Sequence, residues 1–112
     1  MNRKVIITGW GQVTQPKEQD ENLLDPLGLM VSASQRAAQT AGASDILKNL
    51  DGIMVVRVMS LNIPSAAKQL ADKLGVAPKF TYVSAIGGNS PQSMVNKASG
   101  MIARGEIDSV LI

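Results

Sequence analysis

Apolar positions along the chain alternate between short continuous runs and longer stripes. Val5-Ile6-Ile7-Thr8 is β-branched throughout and ends at Gly9, the pattern of a buried strand. Residues 9–25 are polar and turn-like, with Pro16 and a charged cluster over residues 17–21, and read as a loop whose charges face water. Asp25-Pro26 has the form of an N-cap followed by proline at the first helical position. Leu27, Met30, Ser34, Ala37 and Ala41 then recur at helical spacing, and Gly42 marks a stop. A first helix is therefore expected over residues 26–41.

Residues 50–60 hold Gly52-Ile53-Met54-Val55-Val56-Arg57-Val58-Met59, a near-continuous apolar run that predicts a strand buried on both faces. Residues 62–75 give the clearest helix. Ile63, Ala66, Ala67, Leu70 and Leu74 form one stripe, while Lys68, Asp72 and Lys73 fall outside it. Gly75 closes that helix and Pro78 follows. A third strand is expected over residues 80–86, then a turn at Gly87-Gly88-Asn89. Ser90-Pro91 opens a third helix that Gly105 ends, and Ser109-Val110-Leu111-Ile112 starts a fourth strand. The predicted order is β-α-β-α-β-α-β, an α/β fold with a mostly parallel sheet and right-handed crossovers. The whole of residues 1–112 is expected to form one domain, incomplete at its C-terminus because the sequence stops inside an apolar strand.

The third helix differs from the second. Met94, Val95, Ala98, Met101 and Ile102 are apolar, and Ser93, Asn96, Ser99, Gly100 and Ala103 are small or neutral; only Lys97 and Arg104 carry charge. Such a helix is expected to be buried, with a close neighbour at Gly100, since glycine inside a helix costs about 1 kcal/mol relative to alanine. Burial would place its N-terminal amides inside the protein, where they favour negative charge or a developing oxyanion. Gly87 and Gly88 would let a ligand approach the backbone. Asn89 and Ser90 either cap the helix, the commoner use of such residues, or face a substrate.

Composition narrows the chemistry. The 112 residues include no histidine and no cysteine, which excludes a Ser-His-Asp triad, a Cys-His pair and a soft-metal site. The net charge of +2 is spread over scattered Lys and Arg, with no footprint for nucleic acid. No apolar stretch approaches the roughly 20 residues of a membrane span, and the first residues lack the apolar length of a signal peptide. Cysteine-free composition fits a cytoplasmic protein. The aromatic residues are Trp10, Phe80 and Tyr82, so the core must come from aliphatic side chains, with Met54, Met59, Met94 and Met101 as fillers. Trp10 is expected to pack beside its glycine turn, and Arg57 to lie at a sheet edge or pair with Asp51 or Asp45.

The stretch Tyr82-Val83-Ser84-Ala85-Ile86-Gly87-Gly88-Asn89-Ser90-Pro91-Gln92, with Ala98 and Ile102-Ala103-Arg104-Gly105-Glu106-Ile107-Asp108-Ser109-Val110-Leu111-Ile112, resembles the nucleophile region of thiolases, in particular sterol-carrier-protein-type thiolases and their thiolase-like relatives. Val5-Ile6-Ile7-Thr8-Gly9-Trp10-Gly11 also fits that family's first strand. The resemblance is specific from Tyr82 onward and looser before it. It implies the N-terminal portion of a thiolase fold, acting on acyl-CoA as an acetyl-CoA acetyltransferase-type enzyme of lipid metabolism. Coenzyme A would enter as the thioester substrate, with no covalently bound cofactor. The family's reactive cysteine falls at Gly88, or at the neighbouring Asn89, and neither attacks a thioester. The site residues implied are Gly87, Gly88, Asn89 and Ser90, with no catalytic residue assigned and the isolated chain expected to be inactive. The family's dimer contact implies a homodimer or hetero-oligomer through residues 80–86, Phe80 to Ile86. The alternative is a non-catalytic partner subunit.

A nucleotide-binding oxidoreductase would instead use Gly9-Trp10-Gly11 as a dinucleotide turn. The full pattern needs Gly or Ala at position 14, where Thr14 stands, and a helix directly after it, where the sequence is polar.

Overall fold

A computed structural model describes residues 4–15 and 24–112 of the chain. In order, it contains helix α1 (Pro26–Thr40), a 3-10 helix (Ser44–Asn49), strand β1 (Gly52–Val56), helix α2 (Ala66–Leu74), strand β2 (Phe80–Ser84), helix α3 (Ser90–Ala103) and strand β3 (Val110–Leu111). The charged cluster over residues 17–21 lies outside the described residues.

The helices end where local chemistry says they should. The Asp25 carboxylate accepts from the Gly28 N–H at 2.7 Å, and Pro26 occupies the first turn, where its missing N–H is not needed. Gly42, Gly75 and Gly105 all have positive φ, the left-handed conformation that stops a helix and favours glycine. α2 starts later than its apolar stripe predicts. Ile63 precedes Pro64, which disfavours helical backbone there, and Ser65 turns left-handed at φ 49 before Ala66 begins the helix.

The sheet is parallel, in the order β2-β1-β3. Gly52 to Val56 pair residue by residue with Phe80 to Ser84, while β3 meets β1 only at Gly52 and Ile53. Each face of β1 takes alternate side chains. Ile53 and Val55 pack with Leu27 of α1 and with Ala66, Ala67, Leu70 and Ala71 of α2. Met54 points the other way, onto Met94 and Ala98 of α3. β1 is thus the middle of three layers, buried on both faces as its apolar run predicts. Burying a side chain such as Ile53, which has no exposed surface, stabilises the fold by about 1.5–3 kcal/mol.

Asp51 fastens the start of all three strands. Its carboxylate accepts from the Asp108 N–H at 2.6 Å and pairs with Lys79 at 3.4 Å. Its own N–H donates to the Ser109 carbonyl, and its carbonyl accepts from the Phe80 N–H. The carboxyl is held below its ordinary value of 3.8, chiefly by the Asp108 N–H; desolvation opposes that shift and Lys79 adds to it.

Four expectations are corrected. The predicted first strand does not form: residues 4–15 carry no regular structure, and Ile6 and Ile7 are 66% and 85% exposed. A strand needs an edge to pair with. The outer edge of β2 is open, but the segment does not reach it and pairs with none of the three strands. The segment lies on α1 instead. Side chains on Gly9 and Gly11 would collide with the carbonyl oxygens of Ala37 and Ala33, so only glycine allows this approach. The Thr40 hydroxyl accepts from the Trp10 N–H at 2.8 Å and lies 2.7 Å from the Trp10 carbonyl, and Arg36 donates to the Gln12 carbonyl. Trp10 itself is 69% exposed and does not pack.

Second, α3 is not buried all round. Met94 and Ala98 are its buried residues, because β1 and β2 cover one side and no described element covers the others. Gly100 meets only the Arg104 side chain of its own helix, not a neighbouring element. Third, Arg57 follows the central strand β1 rather than lying at a sheet edge, and it forms no pair with Asp51 or Asp45; Lys79 takes the Asp51 carboxylate. Fourth, Met59 is exposed rather than a filler, as it falls beyond the end of β1.

Candidate functional site

β2 leads out of the sheet through Ala85 and Ile86 into the Gly87-Gly88-Asn89 turn, and Ser90 begins α3. The turn closes with the Ser90 N–H donating to the Gly87 carbonyl at 3.1 Å. The Ser90 hydroxyl donates to the Ala85 carbonyl at 3.1 Å, fixing the turn to the end of the strand. Asn89 stands at the N-cap position but its side chain makes no capping bond; its oxygen leans toward Gly87. Capping, the commoner use of Asn and Ser here, is therefore not what these side chains do.

The four sequence-predicted residues come together as a continuous cradle. An added side chain at Gly88 would meet nothing within 4 Å, whereas one at Gly87 would press on Ser90 and Asn89. No acceptor among the described residues meets the backbone N–H groups of Gly88, Asn89 and Gln92. With the α3 dipole behind them, these amides favour a partial negative charge such as a polarised carbonyl oxygen. Gly88 and Asn89 are exposed, so the tip of α3 opens to solvent rather than inward. Among the described residues β2 lies at the edge of the sheet.

Beside the cradle lies a cavity of about 560 Å³. Its walls are the chain leaving β1, at Arg57 and Val58, the approach to α2, at Ile63 and Ser65, and the end of β2, at Ser84 and Ala85. Openings at the carboxyl ends of parallel strands are the usual ligand position in α/β folds. Sequence reasoning missed this cavity. It depends on the late start of α2, and its one local signal is Pro64. On the opposite side of β2, the Lys97 amine stands 4.3 Å from the centre of the Tyr82 ring.

The dinucleotide reading finds no support in the structure. Gly9-Trp10-Gly11 follows no strand, and its glycines serve contact with α1. Among the described residues there is no cluster of three or more His, Cys, Asp or Glu suited to a metal, and no helix is long and apolar enough to cross a membrane.

No family model and no curated protein sequence matches the chain. Solved structures do. A monomeric SCP2-thiolase-like protein, type 1, from Mycobacterium smegmatis superposes with a TM-score of 0.76 at 26% identity, over 93% of this chain and 21% of that one. OleA from Xanthomonas campestris, a cysteine-to-serine variant with bound lauric acid and lauroyl-CoA, superposes with a TM-score of 0.69 at 22% identity, over 83% of this chain and 27% of that one. The same protein bound to cerulenin gives a TM-score of 0.66 over 81% of this chain. The chain spans about a quarter of the length of these structures. A parallel sheet with helices on both faces, a strand running through a glycine turn into α3, and these superpositions together give this chain a thiolase-superfamily fold over most of its length.

Proposed function

We propose that this chain is part of a thiolase-like acyltransferase of the acetyl-CoA acetyltransferase type, and that the Gly87–Ser90 cradle receives the carbonyl of an acyl-CoA thioester. The observation that carries this reading is the set of unpartnered amides at Gly88, Asn89 and Gln92, placed beside an open position at Gly88. A thioester oxygen resting on those amides gains stabilisation as charge builds on it. The lauroyl-CoA bound by OleA supports the substrate class.

The missing cysteine sets the mechanism. With no thiol at Gly88 or Asn89, no acyl-enzyme forms at this position. The acyl group passes directly: a second substrate's nucleophile bonds to the carbonyl carbon, the carbon–sulfur bond breaks, and coenzyme A leaves as a thiolate that takes up a proton. Coenzyme A enters as part of the substrate, with no cofactor held covalently. Calorimetric titration with valeryl-CoA tests the reading. Binding that Gly88→Trp abolishes, by filling the open position, is the expected result; the absence of any binding heat would overturn it.

A second reading rests on the free edge of β2. β1 pairs with only one side of it, which leaves a row of backbone groups from Phe80 to Ser84 without strand partners among the described residues. A second copy of the chain, or a related subunit, pairing there would make this a thiolase-fold partner rather than a catalyst. Light scattering at rising concentration checks it: a mass that stays at one chain removes the homodimer.

A further inference from the structure

Building on the proposed acyl-CoA reading of the same site, we infer that the cavity beside the cradle takes an acyl group that ends in a carboxylate. The cavity and the cradle are joined through Ala85. Ser84 and Ala85 line the cavity, and the Ala85 carbonyl holds the Ser90 hydroxyl of the turn. Gly88 follows Ala85 by three residues, so the acyl chain of a thioester whose carbonyl rests on the Gly88 and Asn89 amides has a short path to this space. Val58, Ile63 and Val83 offer the apolar wall that a few methylenes need.

The charge in the cavity has one sign. Arg57 and Lys68 line it, and no carboxylate does. They come from different elements, Arg57 from the end of β1 and Lys68 from the first turn of α2. Neither forms an ion pair or hydrogen bond with the described residues. Elsewhere the cations Lys79 and Arg104 are satisfied by Asp51 and Glu106. An arginine fork matches a carboxylate through two hydrogen bonds, and a lysine supplies a second point charge. Ser65, in the same wall, is the one non-glycine residue among those described with a positive φ. That conformation belongs to the sharp turn that carries Lys68 into α2.

A carboxylate fits this position better than the phosphates of coenzyme A. Those phosphates are separated from the thioester by the whole pantetheine arm, whereas this cavity begins at the strand that feeds the cradle. The space falls within the range of small-molecule pockets.

Glutaryl-CoA and valeryl-CoA have the same number of acyl carbons and the same phosphates, and differ in the terminal carboxylate. Calorimetry on the unmodified chain should show glutaryl-CoA binding roughly five- to tenfold more tightly, the scale of two partly exposed ion pairs. The double variant Arg57→Gln, Lys68→Gln should remove that preference by weakening glutaryl-CoA binding far more than valeryl-CoA binding, and Arg57→Lys should keep part of it. Both residues are exposed, so circular dichroism of the variants should match the parent. Equal affinities in the unmodified chain, or a preference that survives the double variant, overturn the inference. So does a double variant that weakens both ligands alike, which would assign the two cations to the phosphates. If valeryl-CoA binds and glutaryl-CoA binds no better, only this inference falls; if neither binds, the acyl-CoA reading falls and takes the inference with it.

Discussion

The ring of Phe80 lies over the bare Cα of Gly52, its register partner across the β1–β2 ladder. A side chain at position 52 would overlap the ring, so the glycine is required by packing rather than by backbone angle. Gly52→Ala is expected to destabilise the chain by about 2 kcal/mol, the usual scale of overpacking a core. Urea unfolding checks it. In the background of Phe80→Leu the same substitution should cost clearly less, because the two positions are coupled through direct contact.

Asp51 should make stability depend on acid. Its folded carboxyl binds a proton less readily than the unfolded one, so its contribution is fully present above the ordinary value of 3.8. That contribution is lost as pH falls through the lower folded value. Melting temperatures taken below about pH 4 should fall with acidity, and Asp51→Asn should flatten that part of the curve while lowering stability at neutral pH. A curve of the same slope in the variant would refute the assignment.

Gly88→Cys should fold normally, because a side chain there enters open space. The introduced thiol sits at the N-terminus of α3, where the helix dipole favours a thiolate. Its pKa is expected to lie below the free value of about 8.5. The rate of iodoacetamide alkylation against pH measures it directly, with a cysteine placed at exposed Lys48 as the reference.

Thr40 holds the N-terminal segment to α1 through both backbone polar groups of Trp10. Thr40→Val keeps the shape and removes those bonds, at an expected cost of about 1 kcal/mol. Hydrogen exchange offers the sharper readout. The Trp10 amide should lose its protection while the β1 amides keep theirs.

Helix caps and the central strand were legible in the sequence, because their signals are local. Asp25-Pro26, Gly42, Gly75 and Gly105 each act through their own backbone, and β1 announces itself as an apolar run too dense for one face. Residues 5–8 carry an equally good strand signal and form no strand. Whether a run becomes a strand depends on where the neighbouring chain is held, and contacts of Gly9, Gly11 and Trp10 keep this segment on α1, away from the open edge of β2. Trp10 and Met59 fail for the same reason: hydrophobicity states a preference for burial, and only neighbours supply it. Of the candidate site, the turn that leads from β2 into α3 was readable from its glycines. The cavity was not, since it arises from where α2 starts and from Arg57 and Lys68, eleven positions apart, facing one space.

The arrangement of the strands also orders events during folding. β1 pairs in parallel on both sides, so neither ladder can close until the intervening chain has crossed the sheet. The partner in β3 lies about twice as far along the chain as the partner in β2, which adds only about 0.6 kcal/mol of closure entropy. On a ribosome the difference is larger than that figure suggests. β1, α2 and β2 emerge as a unit that can settle with α1, while the Met54 side of the sheet stays bare until α3 has been synthesised. During that interval the nascent chain presents a greasy face, and a chaperone that recognises such faces would meet it there first.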